Sequence, residues 1–135
     1  MVVDPNPEEL LASCKSLNKL GITNIVCVDS CTNAVKALKD NKDIDIVIAD
    51  FEMEPGEAFG LLLCTVAKET CPGLLFVLVS KSYSCSVVLD SFRNGAEDIL
   101  DKNRENDIEN LMGKWINLAK QKNILRKLLN EPTGV

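Results

Sequence analysis

Short apolar runs alternate with amphipathic stretches along the whole chain, and that alternation predicts strands and helices in turn. Val2-Val3 leads straight into Asp4. From Pro7 to about Leu20, apolar residues recur at helical spacing (Leu10, Leu11, Cys14, Leu17, Leu20), with Pro7-Glu8-Glu9 as a helix opening and Gly21 as a stop. Ile22 to Val28 is rich in β-branched residues and predicts a strand. Asp29-Ser30 then caps a helix carrying Ala34, Val35, Ala37 and Leu38. Asp45 to Asp50 predicts a central strand that ends in a carboxylate. A loop containing Pro55-Gly56 leads to a helix through Leu61, Leu62, Val66 and Ala67, which Pro72-Gly73 ends. Leu74 to Val79 is unbroken apolar sequence, as expected of a strand buried on both faces, and Ser80 stands at its end. A helix from about Tyr83 to Phe92, a short strand Asp98-Ile99-Leu100-Asp101-Lys102 and a final helix from about Asn106 to 129 complete the series.

Five strands alternating with five helices, each crossover too long for a hairpin, predict a single α/β domain with a parallel sheet covered on both faces. The length of 135 residues suits one such domain, here residues 1–129, with 130–135 as a loose tail. The composition is that of a globular chain, 46% hydrophobic and 26% charged. No His is present, which removes the Ser-His and Cys-His nucleophile pairs and lowers the standing of hydrolase readings. A net charge of -5 gives no field that attracts a polyanion, so direct nucleic-acid binding is disfavoured. Cys14, Cys27, Cys31, Cys64, Cys71 and Cys85 lack zinc-ligand spacing, and several lie in apolar runs. They are expected to be reduced, largely buried thiols. With no signal-peptide pattern and no membrane-length apolar run, a cytoplasmic location and no membrane association are expected.

In parallel α/β sheets the functional crevice lies beyond the carboxyl ends of the strands, which here carry Asp4, Asp50, Ser80 and Lys102. Polar residues are ordinary where strands exit into water; four at one edge are more informative. Two close carboxylates repel, and a hard divalent cation would relieve that repulsion. An ammonium and a hydroxyl beside them suit a phosphoryl oxygen, so the set can support phosphoryl transfer to an aspartate.

The order and spacing of these residues resemble the receiver domain of bacterial two-component response regulators (CheY-like). The resemblance runs from Val2-Val3-Asp4-Pro5-Asn6-Pro7 through Ile46-Val47-Ile48-Ala49-Asp50-Phe51-Glu52-Met53 and Leu78-Val79-Ser80 to Asn94-Gly95-Ala96-Glu97-Asp98-Ile99-Leu100-Asp101-Lys102. It implies a flavodoxin-like three-layer sandwich with a five-stranded parallel sheet in the order 2-1-3-4-5, an order that is general knowledge for this fold. It also implies that Asp50 accepts a phosphoryl group from a sensor histidine kinase or phosphotransfer protein, with Lys102 on the phosphate and Ser80 as switch hydroxyl. Such a domain is a signalling phosphoacceptor rather than an enzyme in the ordinary sense.

The chain also departs from the family pattern. Pro5 stands where receivers usually carry a second acidic residue, so Mg2+ would rest on Asp4, Asp50 and the backbone carbonyl of Glu52, unless the Glu52 or Glu54 carboxylate swings in. Gly60 comes about two residues later than the family's usual glycine, which implies a longer loop after Asp50. Ile99 replaces the aromatic residue that many receivers rotate inward. Asn103 replaces a proline, so a cis peptide there is not expected. Lys81, where a small residue is common, is either solvated or a source of positive charge that partly stands in for a missing cation.

In the last helix Ile108, Leu111, Trp115, Leu118, Lys122, Leu125 and Leu129 follow alternating steps of three and four, with Met112, Ile116 and Ala119 widening the stripe. Its first half is expected on the sheet. The second half, with Ile124, Leu125, Leu128 and Leu129, is expected beyond the sheet's edge, facing an output domain or a second copy in a homodimer. The basic residues Lys114, Lys120, Lys122, Arg126 and Lys127 fit a solvated face. A pseudo-receiver that works without phosphorylation, as an interaction or dimerisation module, is the alternative. A small flavin- or nucleotide-binding α/β protein is disfavoured, because Asp4-Pro5-Asn6-Pro7 is no Gly-rich phosphate loop.

Overall fold

A computed structural model of the chain describes residues 1–54 and 56–130, with the side chains of 105–108 excepted. The elements follow the expected order: β1 (Val2–Val3), α1 (Pro7–Lys19), β2 (Cys27–Val28), α2 (Cys31–Asp40), β3 (Ile46–Asp50), α3 (Phe59–Thr70), β4 (Leu75–Ser80), α4 (Cys85–Arg93), β5 (Asp98–Asp101) and α5 (Glu105–Asn130). All pairings are parallel, in the order β2-β1-β3-β4-β5.

Strand alternation divides the interior into two cores. Val3, Val47, Ala49, Phe76, Leu78 and Ile99 face α2, α3 and α4, where Ala34, Leu38, Leu63, Cys64 and Ala67 are buried. Val2, Ile48, Val77, Val79 and Leu100 face the opposite way, toward Leu17 of α1 and Met112 and Ile116 of α5. Every residue of β4 is buried, as its unbroken apolar run required. Helix starts are where the capping residues put them: the Asn6 side chain accepts from the amides of Glu8 and Glu9, Ser30 from Asn33 and Ser84 from Val87.

Two expectations need correction. The strand predicted over Ile22 to Val28 is only Cys27–Val28, because its sole neighbour, β1, offers Val2 and Val3 as ladder partners and no more. Nor are all six cysteines free, for Cys14 and Cys27 form a disulfide. Cys27 pairs in register with Val2, so both side chains leave the sheet on the α1 side, and as an edge residue Cys27 is exposed rather than buried. The other four cysteines are free, and burial pushes the Cys64 thiol up to about 11.

Gly60, the glycine expected late, lies in the first turn of α3, where its amide donates to Phe51 O at 3.0 Å. A Cβ there would overlap the carbonyl oxygen of Asp50 and stand 2.8 Å from Phe51 Cα and 2.9 Å from Leu78 Cδ2. Since two of these obstacles are backbone, the methyl cannot be accommodated by a rotamer change. Gly60→Ala is therefore expected to cost about 2–3 kcal/mol, measured as a lower urea midpoint at unchanged slope.

Candidate functional site at the carboxyl edge of the sheet

Strand register brings the site together. Val3 pairs with Ala49, so Asp4 and Asp50 follow side by side, and Ser80 pairs with Asp101, which places Lys102 one step beyond. The Lys102 amide donates to Ser80 O at 2.8 Å and anchors that step. Three carboxylates meet the Lys102 ammonium: Asp4 Oδ2 at 3.0 Å, Asp50 Oδ1 and Oδ2 at 2.9 and 3.0 Å, and Glu9 Oε2 at 2.5 Å. The second oxygen of Glu9, Oε1, lies 2.8 Å from Lys81 Nζ. These five side chains line an open cleft of about 910 Å³ with Ser13, Ser16, Asn103 and Arg104.

Burial sets the electrostatics. Asp4 is 3% exposed, and its Oδ1 accepts from the Asn6 amide at 2.8 Å. Removal from water pushes Asp50 up to about 6; Lys102 works against that rise, and the nearby Asp4 charge adds to it. Burial likewise opposes the Lys102 charge, but hydrogen bonds to Glu9, Asp50 and Asp4 outweigh it and hold the ammonium above its ordinary value. Hydrogen bonds to Lys102 and then Lys81 hold Glu9 below the usual carboxylate range.

Asp4, Asp50 and Lys102 thus converge as the sequence suggested. Ser80 is at the same edge and buried, but its hydroxyl is turned to its own loop, donating to Ser82 O at 3.0 Å and accepting from the Ser82 amide at 3.1 Å. The Glu52 carboxylate does not swing in; it is exposed and accepts from the Gly56 amide at 3.2 Å. Glu54 is likewise exposed, its backbone bridged to Glu57. Among the described residues, the carboxylates that could share a cation are Asp4, Glu9 and Asp50, whose ligand atoms lie within 4.8 Å of one another. An all-oxygen donor set of this kind suits a hard divalent ion.

Glu9 is the site residue that sequence reasoning missed, having been assigned only to the helix dipole. The signal was its position: α1 opens three residues after Asp4, so its first turn sits over the end of β1. Asn103 was expected only to lack a cis bond, and the described chain has none. Its amide group also donates to Lys81 O at 2.9 Å, tying the β4 exit to the β5 exit.

No protein-family model and no curated protein sequence matches the chain. Solved structures do. The chain resembles a response regulator receiver domain protein from Clostridium thermocellum (TM-score 0.76, 23% identity, 92% of this chain and 95% of that one). It also resembles a response regulator from Thermotoga maritima (0.72, 24%, 88% and 93%). A third is a response regulator from Burkholderia pseudomallei solved with a phosphorylated aspartic acid, a calcium ion and citrate (0.72, 16%, 96% and 73%). The fold is that of a CheY-like receiver domain: three layers around a parallel sheet in the order 2-1-3-4-5.

The raised Asp50 value has a stability consequence. The folded value lies above the unfolded one, near 3.8, so ionisation of Asp50 weakens the fold progressively as pH rises from about 4 through 6. In chelator-treated protein, Asp50→Asn is expected to be more stable than the parent at pH 7.5, by on the order of 1–3 kcal/mol. The advantage should vanish near pH 3.5, as read from denaturant curves at the two pH values.

Proposed function

We propose that the chain is a receiver domain of phosphorelay signal transduction, accepting a phosphoryl group on Asp50 and passing the change to an output partner. The observation that carries this reading is the direct meeting of Asp50 with Lys102 beside Asp4, at the crevice where this fold binds its ligands. The donor is a phosphohistidine of a sensor kinase or phosphotransfer protein, or a small acyl phosphate. A carboxylate oxygen of Asp50 attacks phosphorus in line; an O–P bond forms, and the P–N or P–O bond to the donor breaks with its electron pair leaving on the donor.

The chain's own residues do the positioning. The ammonium of Lys102, already on both oxygens of Asp50, orients the nucleophile and remains close enough to take a phosphoryl oxygen. Of the carboxylates that could share a cation, Asp4 and Asp50, joined by the backbone carbonyl of Glu52, would hold Mg2+, leaving Glu9 to the two lysines. Bound there, the ion would offset the negative charge that gathers on the carboxylates and the phosphoryl oxygens. Ser80 would leave its turn with Ser82 to bond the phosphoryl group, which makes it the switch hydroxyl. A cytoplasmic setting fits such a relay, and no helix among the described residues is long and apolar enough to cross a membrane.

Output is assigned to α5. Met112, Ile116 and Ala119 are the buried row of this helix, Leu111 and Trp115 pack partly buried beside them against the same core, and Leu118 is exposed. Trp115 is also held by the sheet, its Nε1 donating to Asp98 Oδ2 at 2.8 Å. Ile108 lies outside the described side chains. Beyond Ala119 the helix carries Ile124, Leu125, Leu128 and Leu129 exposed by 57% or more. Those residues are available to an output domain or a second copy.

Incubation with Mg2+ and acetyl phosphate is expected to add one phosphoryl mass to the intact protein. The adduct should be absent in Asp50→Asn and at least tenfold slower to form in Lys102→Ala. An unmodified wild-type mass would instead favour a pseudo-receiver. For the output face, Leu125→Glu with Leu129→Glu is expected to leave the melting temperature within about 2 °C, since neither side chain is in the core.

A further inference from the structure

The Glu9 carboxylate bridges two ammonium groups, one on each oxygen: Lys102 at 2.5 Å and Lys81 at 2.8 Å. Each lysine comes from the exit of a different strand, β5 and β4, and the Asn103–Lys81 hydrogen bond holds those exits together. A carboxylate seated between two ammoniums marks a place where the molecule stabilises an oxyanion. From this geometry we infer that Lys81 and Lys102 form a two-cation oxyanion site beside Asp50. Glu9 fills it in the resting state, and phosphoryl oxygens fill it once Asp50 is modified.

The inference rests on the phosphoacceptor reading and deepens it by naming a second phosphoryl contact, Lys81, and an internal competitor, Glu9. The charges fit a competition. Asp4, Glu9 and Asp50 together carry one more charge than Lys81 and Lys102 supply, so an incoming anion competes with a carboxylate for these two ammoniums. Glu9 is the one built to leave. Its side chain is 30% exposed, against 4% for Asp4 and 14% for Asp50, and it stands on the first turn of a helix instead of a strand inside the sheet. Lys81 is 63% exposed and can follow the incoming group. Displacement of Glu9 would free α1's first turn from the β4 and β5 exits, so that occupancy of the pocket is felt on α1.

Beryllofluoride with Mg2+ is the probe, its affinity followed by 19F NMR in wild type, Glu9→Gln, Lys81→Ala and the double variant. Glu9→Gln is expected to bind about tenfold more tightly and Lys81→Ala about tenfold more weakly, each a factor that one charge-assisted contact supplies. The Glu9→Gln gain should shrink in the Lys81→Ala background. Weaker binding by Glu9→Gln, accompanied by lower Mg2+ affinity in calorimetry without beryllofluoride, would overturn the inference and make Glu9 a cation ligand. An unchanged affinity in Lys81→Ala would overturn it as well. Should wild type bind no beryllofluoride, the phosphoacceptor reading fails separately. The oxyanion site is then judged with inorganic phosphate on Asp50→Asn/Glu9→Gln. Amide shifts at Lys81 and Lys102, lost on adding Lys81→Ala, would support the site, and their absence would refute it.

Discussion

One ammonium group makes the carboxyl edge of this sheet possible. Asp4, Glu9 and Asp50 would repel one another strongly if brought this close without a counter-charge, and the Asp50 carboxyl is already pushed upward by burial. Lys102 touches all three. It therefore allows Asp4, one residue past β1, and Asp50, the last residue of β3, to stand side by side, which a buried edge would otherwise penalise. The arrangement keeps an aspartate open to a cleft and paired with a cation.

The rest of the fold serves to deliver these groups. Sheet register sets Asp4 against Asp50 and carries Lys102 one step past the residue opposite Ser80, where its amide donates to Ser80 O. Behind Asp50, Gly60 lets α3 start against the strand's last carbonyl, a closeness no side chain would permit. In front of it, the Asn6 cap fixes the start of α1 so that Glu9 overhangs the site. Strand, glycine and cap each act locally, but their products meet within a few ångströms.

Much of this was legible in the sequence, because β-period and helix-period patterns are strong here and the strand ends carry distinctive residues. Asp50 and Lys102 could be paired from topology alone: both close strands of one parallel sheet. Glu9 could not be, since a helix residue enters a site through the angle at which its helix docks, and no periodicity encodes that angle. The Ser80 rotamer was equally hidden, as its competing partner, the Ser82 backbone, lies in a loop whose path is not a pattern. Cys27 was misplaced for a related reason. Its neighbours Val26 and Val28 suggested burial, but an edge strand two residues long leaves one side open.

Charge is distributed along the chain in a way that bears on how the domain would be used. Residues 111–130 contain Lys114, Lys120, Lys122, Arg126 and Lys127 and no acidic residue, although the whole chain is -5. The helix that overhangs the sheet is thus a basic, apolar-striped arm on an acidic body, tied back at Trp115–Asp98 and by Arg126 Nη2 to Asp45 at 3.1 Å. Asp98 opens the same strand, β5, whose far end leads into Lys102. Ile99 is buried in place of an aromatic rotor, and β5 joins the pocket to the arm through Lys102 just past one end and Asp98 at the other. The pairing of Lys102 with Asp50 and the hydrogen bond from Trp115 to Asp98 therefore belong to one short strand and its immediate exit.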